Sequence, residues 1–187
     1  AQLGKTPFFK KQKPTPYDEA VSLIWNLENV FYKAIGEIYN YIQHNIYNGQ
    51  FPENEIVDLG FWPGGDRDGN PFVTAQTTMD VAEKMRLTLL KNYDKDFRKL
   101  KRRLTFEGLH AHIENIEYFF QYHIFENPST ISKPDKLLSE LYAIREKIQQ
   151  NHQSLFLDEL DVFISKIRIF GFHFATLDIR QDSRVHT

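Results

Sequence analysis

The chain has 187 residues, enough for one domain with a buried core, and its 16 Phe, 9 Tyr and 2 Trp supply large apolar surfaces for that core. Its 23 basic and 25 acidic side chains nearly cancel, so no whole-molecule field selects a nucleic acid or another strongly charged partner. The absence of Cys excludes a disulfide framework and thiolate metal sites, and no apolar run reaches the roughly 18 residues of a membrane span. A cytoplasmic protein without a membrane partner is expected. The start at Ala1 and the stop at Thr187, just past a strand-like run, read as the ends of a piece of something longer.

Residues 1–16 carry Lys5, Lys10, Lys11 and Lys13 among Pro7, Pro14 and Pro16, without helical period, and are expected to form an extended basic arm. Asp18 and Glu19 then introduce a long helix, with Val21, Ile24, Trp25, Val30, Phe31, Ile35, Ile38, Tyr39 and Ile42 spaced mostly by three or four. Two of its faces are apolar, which predicts a helix buried among others with Trp25 in the core, ended by Gly49 and Pro52. The run Ile56, Val57, Asp58, Leu59 reads as a strand, and FWPGGDRDGNP over 61–71 as a tight loop leading to a helix start. Thr74 is the expected N-cap of a helix carrying Val81, Met85, Leu89, Tyr93, Phe97, Leu100 and Leu104 on one face.

A further helix is predicted over 106–125, a loop over 126–135 with Pro128 and Pro134 at its ends, and helices over 136–151 and 155–170. Gly171 closes the last of these, and residues 172–179 read as a short, largely buried strand. The expected fold is mainly α: a helical, bundle-like segment over 17–187 with two short strands, part of a helix-rich α/β barrel.

The loop at 61–71 is the first place to look for chemistry, because a strand end, a Gly-rich turn and a helix start leave backbone N–H groups facing outward. Asp66, Asp68 and Asn70 alternate as at the start of a calcium loop, but the sixth position is Pro71 and the twelfth Thr77, where Gly and Glu are needed. No Gly-Lys-Ser/Thr follows, so a Walker loop is excluded as well. Asp66, Arg67 and Asp68 then either reach a ligand or close a salt-bridged turn.

His110 and Glu114 share a helix face from which His112 points away, so no third metal ligand converges and a solvated face is expected. Arg98, Lys99, Lys101, Arg102 and Arg103 crowd a helix end, where cations are favoured electrostatically; they also offer the alternative of phosphate or nucleic-acid binding. Arg180 directly follows the second strand-like run, at the edge where barrel enzymes place ligands, and a guanidinium there suits a bidentate grip on phosphate or carboxylate. A pair with Asp178 or Asp182 is the structural alternative.

The string GGDRDGNP at 64–71, preceded by Trp62, together with LDIRQDSRVHT at 177–187, resembles phosphoenolpyruvate carboxylase. KPTPYDEA at 13–20 is similar to the segment before the first of these, and all three occur in the family's order. The resemblance implies a segment of a large, mostly helical cytoplasmic enzyme with an eight-stranded barrel, a homo-oligomer that joins bicarbonate to phosphoenolpyruvate. It further implies Mg2+ or Mn2+ in the full-length enzyme, with the metal-binding carboxylates outside this chain.

By the same resemblance, Trp62 walls the apolar pocket where carbon dioxide meets the methylene carbon, and Arg180 grips the phosphoryl group. Asp66, Arg67 and Asp68 match active-site framework. Pro63 stands where Met is usual and Asp182 where Glu is usual. The family's upstream catalytic His, downstream metal ligands, mobile arginine loop and C-terminal effector site have no counterpart. The chain alone is therefore expected to be inactive and to bind no metal. A helical interaction module without catalysis is the remaining alternative.

Overall fold

The computed structural model describes residues 13–52, 56–128 and 133–183. Most of the expected basic arm, residues 1–12, and residues 129–132 of the expected loop lie outside these. Helix α1 spans Pro16–Asn26, two residues earlier than Asp18, because Thr15 caps it. The Thr15 hydroxyl accepts the Asp18 N–H at 3.2 Å, and Asp18 Oδ2 accepts the Thr15 N–H at 3.0 Å, satisfying two N-terminal donors reciprocally.

The chain continues through a π-helical turn, Leu27–Phe31, into α2, Tyr32–Asn45. The buried positions run Ala20, Ile24, Leu27 and then Tyr32, Ile35, Tyr39. The step from Leu27 to Tyr32 is one residue longer than an α-turn allows, and the widened turn absorbs it. That step turns Tyr32 inward and Phe31 outward. The expectation of two buried faces fails here: Trp25 is 59% exposed, and Val30, Phe31 and Ile38 are exposed with it.

Strand β1, Gly60–Phe61, begins just past the expected run at 56–59, which is not itself strand, and takes in Phe61 from the expected loop; α3, Ala75–Lys101, follows. Thr74 caps α3 by accepting the Thr77 N–H at 3.2 Å. Val81, Met85, Leu89, Tyr93, Phe97 and Leu100 form its buried face, while Leu104 is buried just beyond the helix end. Helix α4, His110–Gln121, starts later than expected, after Gly108 turns the chain at φ 82°, and runs into a second π-helical turn, Tyr122–Glu126. Helices α5, Asp135–Asn151, and α6, Leu157–Phe170, complete the helical layer.

Strand β2 is only Thr176–Leu177, because Phe172, Phe174 and Ala175 pack into the helical core instead of extending it. It pairs in parallel with β1, Gly60 opposite Thr176 and Phe61 opposite Leu177, with α3 to α6 forming the crossover. The structure is mainly helical, with one continuous apolar core between the helices. Tyr93 ties this core to the sheet: it is fully buried and donates its hydroxyl to the Gly171 carbonyl at 2.9 Å, at the turn between α6 and β2. Tyr32 stacks on Phe170 and meets Phe174 edge-on, which fixes the approach to β2. Among the described residues no helix is long and apolar enough to cross a membrane.

Candidate functional site

The backbone beyond β1 folds back onto the backbone beyond β2. The Gly65 N–H donates to the Trp62 carbonyl at 2.9 Å and closes a tight turn. The Arg180 N–H then donates to the Gly65 carbonyl at 2.9 Å, and the Arg67 N–H to the Arg180 carbonyl at 3.0 Å, so the loop continues the parallel ladder past the strands. Two glycines make this possible. Gly64 adopts φ 87°, a conformation side chains disfavour, and a β-carbon on Gly65 would sit 2.1 Å from the Asp178 carbonyl oxygen. The first turn of α3 pins the loop from behind, with the buried Thr78 Oγ1 donating to the Gly64 carbonyl at 2.6 Å.

This architecture places Trp62 and Arg180 at the same C-terminal edge of adjacent strands. They line one cleft of about 410 Å³ with Gly60, Phe61, Asp66 and Asp178. Trp62 is 56% exposed. Arg180 Nε donates to Asp178 Oδ2 at 3.2 Å, so the expected alternative pairing with Asp178 is present, and the guanidinium still lines the cleft.

Of the three loop charges, only Asp66 lines the cleft. A hydrogen bond with Asp68 raises its carboxyl above the usual value, helped by burial and the Asp68 charge and opposed by Arg180 and the Gly69 N–H. Asp68 lies outside the cleft, and Arg67 turns into the protein with its Nε buried and without a hydrogen-bond partner. Asp178 entered the sequence reading only as a pairing partner; the signal for more was its position two residues before Arg180, on the same strand face.

The other candidates separate from this cleft. Among the described residues no three metal-ligating side chains converge. His110 faces Glu114 at 3.1 Å on an exposed surface, and His112 pairs instead with Glu140 at 2.6 Å. In the cationic run, Arg98 pairs with Asp94, Lys99 with Asp96, Lys101 with Glu117 and Arg103 with Glu159. A second groove, about 720 Å³ between α4 and α5, has Tyr118, Phe119, Tyr122 and His123 in its wall. Lys133, Asp135, Lys136 and Glu140 also line it, but it shares no lining residue with the strand edge that carries Trp62 and Arg180, and its size alone does not make it the better candidate.

Fold and cleft together define a mainly helical segment whose two short parallel strands carry Trp62, Asp66, Asp178 and Arg180 to one edge. The chain belongs to the phosphoenolpyruvate carboxylase family: the family model of that description matches residues 1–117 and 111–187. Curated relatives named phosphoenolpyruvate carboxylase include one from Shewanella loihica, 27% identical over 220 residues, covering 100% of this chain and 25% of the relative. Another, from Histophilus somni, is 28% identical over 214 residues, 95% of this chain and 24% of the relative. A third, from Xanthomonas campestris pv. campestris, is 27% identical and covers 93% of this chain and 24% of the relative. The chain thus spans about a quarter of the length of the curated relatives it matches.

Proposed function

We propose that the longer protein to which this chain corresponds is a carboxylating lyase, converting phosphoenolpyruvate and bicarbonate to oxaloacetate and phosphate. In this reading bicarbonate oxygen attacks the phosphoryl group, the phosphorus–oxygen bond to the enol breaks, and carboxyphosphate and the pyruvate enolate result. Carboxyphosphate releases carbon dioxide and phosphate, and the enolate methylene carbon bonds to the carbon dioxide. This chain contributes two groups. Arg180 is the guanidinium that grips the phosphoryl oxygens, and Trp62 is the apolar wall that keeps water from the carbon dioxide.

Asp66 stands at the floor as framework, with Arg67 and Asp68 holding the loop behind it. A divalent Mg2+ or Mn2+, expected from the family, would be bound by residues outside the described ones and would stabilise the enolate oxygen. The same reading has the protein working in the cytoplasm as a homo-oligomer, without nucleic-acid or membrane partners, and has the 187-residue chain inactive by itself.

The observation that carries the proposal is the meeting of Trp62 and Arg180 in one cleft at the C-terminal edge of paired parallel strands. The test is steady-state carboxylation by the full-length protein with Arg180→Gln or Trp62→Ala. Loss of an anion-stabilising donor is expected to lower kcat/KM for phosphoenolpyruvate roughly 100-fold or more. Unchanged carboxylation in both variants would sink the reading and leave the non-catalytic interaction module. Oxaloacetate formation by the purified 187-residue chain would overturn its expected inactivity.

A further inference from the structure

We infer that Asp178 is the positioning residue for Arg180, holding the guanidinium by its Nε edge so that the Nη end is presented to an oxyanion in the cleft. The inference rests on the proposed role of Arg180. It starts from strand geometry, in which residues two apart project to the same face, so a carboxylate at 178 stands beside a guanidinium at 180. Asp178 Oδ2 accepts the Nε–H at 3.2 Å, and both residues line the cleft with Trp62. No other N–H of the Arg180 guanidinium has a hydrogen-bond partner among the described residues.

An arginine offers a carboxylate or phosphate either its Nε side or its Nη end. With the side taken by Asp178, the Nη end remains for the ligand. The backbone reinforces this division, because Asp178 is fixed by β1 and Arg180 by the loop after it: the Asp178 N–H donates to the Phe61 carbonyl at 2.8 Å, and the Arg180 N–H to the Gly65 carbonyl at 2.9 Å. The second carboxylate of the cleft, Asp66, is engaged by Asp68 and the Gly69 N–H and makes no hydrogen bond to the guanidinium. Orientation of Arg180 therefore falls to Asp178.

A double-mutant cycle in the full-length protein tests this. Asp178→Ala is expected to raise KM for phosphoenolpyruvate about 10-fold, the scale of one hydrogen bond to a charged group, with a smaller change in KM for bicarbonate. Asp178→Asn retains an acceptor for Nε and is expected to recover much of the loss. In an Arg180→Lys background, which has no Nε, Asp178→Ala is expected to add nothing. Full additivity of the two substitutions, or equal defects in Asp178→Asn and Asp178→Ala, would overturn the positioning role. So would a melting-temperature loss in Asp178→Ala large enough to explain the kinetic change. If Arg180→Lys itself leaves KM and kcat untouched, the proposed role of Arg180 has failed, an outcome the cycle separates from failure of Asp178.

Discussion

Gly65 and Asp178 approach so closely that a β-carbon on Gly65 would lie 2.1 Å from the Asp178 carbonyl oxygen. The contact is backbone against backbone, so no rotamer change relieves it. Gly65→Ala is expected to push the loop off the extension of β2 and break the reciprocal bonds between Gly65, Arg67 and Arg180. The cost should be about 2–3 kcal/mol, in the range of overpacking a rigid contact. Urea unfolding would measure it, and an unchanged midpoint would show that the strand ends are free to separate.

Thr78 holds the same loop from α3. Its buried hydroxyl donates to the Gly64 carbonyl at 2.6 Å, and among the described residues that carbonyl accepts no backbone N–H. Thr78→Val keeps the shape and removes the donor, leaving a buried acceptor unpaired at a cost of about 1–2 kcal/mol. Thr78→Ser should recover most of this in the same urea experiment. Equal stability of the Val and Ser variants would mean that water replaces the hydroxyl.

The helices were legible from their period because each packs one face: Val81, Met85, Leu89 and Tyr93 fall at intervals of four and are all buried. Thr74 was legible as a cap because a side-chain oxygen just before an apolar run has a free N–H to accept. The exposure of Phe31 was not, since one extra residue in a π-helical turn rotates the faces without disturbing three-to-four spacing; Trp25, ahead of that turn, is exposed because it lies one position off the Ala20 and Ile24 face. Strand lengths were overread for a related reason. Phe172 and Phe174 are as apolar as a buried strand requires, but aromatic packing against helices satisfies them equally well.

For the cleft, motif order brought Trp62 and Arg180 forward, whereas the pairing of Gly60 with Thr176 is a contact across 116 positions (176 − 60) that no local pattern encodes. Which loop charge faces the cleft depends on that pairing, so Asp66, Arg67 and Asp68 could not be separated beforehand.

His123 is 7% exposed, with its ring against Phe119 and Tyr122. Burial lowers its pKa, and the positive charges of Arg86 and Lys136 lower it further. The unfolded chain takes up a proton near pH 6.5 while the folded one resists. Stability from the neutral ring is therefore complete above that value and is lost as pH falls through the folded pKa. His44 acts in the opposite sense, since its pKa is raised, first by the Asn40 carbonyl. The informative quantity is thus the difference between wild type and His123→Phe. The unfolding free energy of the wild type, from urea melts, is expected to fall further between pH 7.5 and 5.5 than that of the variant, by roughly 1.4 kcal/mol per unit of pKa difference. Parallel pH profiles would exclude His123 as the titrating group.

Asp96 sits where α2, α3 and α6 meet. Lys166 Nζ lies 2.8 Å from its Oδ2, Lys99 Nζ 3.0 Å from its Oδ1, and the Tyr32 hydroxyl donates to Oδ2 at 3.0 Å. Lys166 is the most enclosed of these, with a side chain 13% exposed and its ammonium 4.3 Å from the centre of the Tyr32 ring. Burial works to raise the Asp96 carboxyl, but hydrogen bonds and charge from Lys166 and then Lys99 outweigh it and hold the group below its ordinary value. A depressed carboxylate contributes stability that is present above the unfolded value, near 3.9, and is lost as pH falls through the folded value. Asp96→Asn leaves Lys166 enclosed without its counter-charge and should cost about 2–3 kcal/mol at neutral pH, less than for a fully buried pair because Asp96 is partly solvated. It should also flatten the acid limb, so that wild type and variant converge as pH falls below the unfolded value and through the folded one. Convergence requires Asp96 to be charged in the native state, and a gap that does not narrow anywhere along the acid limb would mean that packing around Tyr32, and not the ion pair, accounts for the loss.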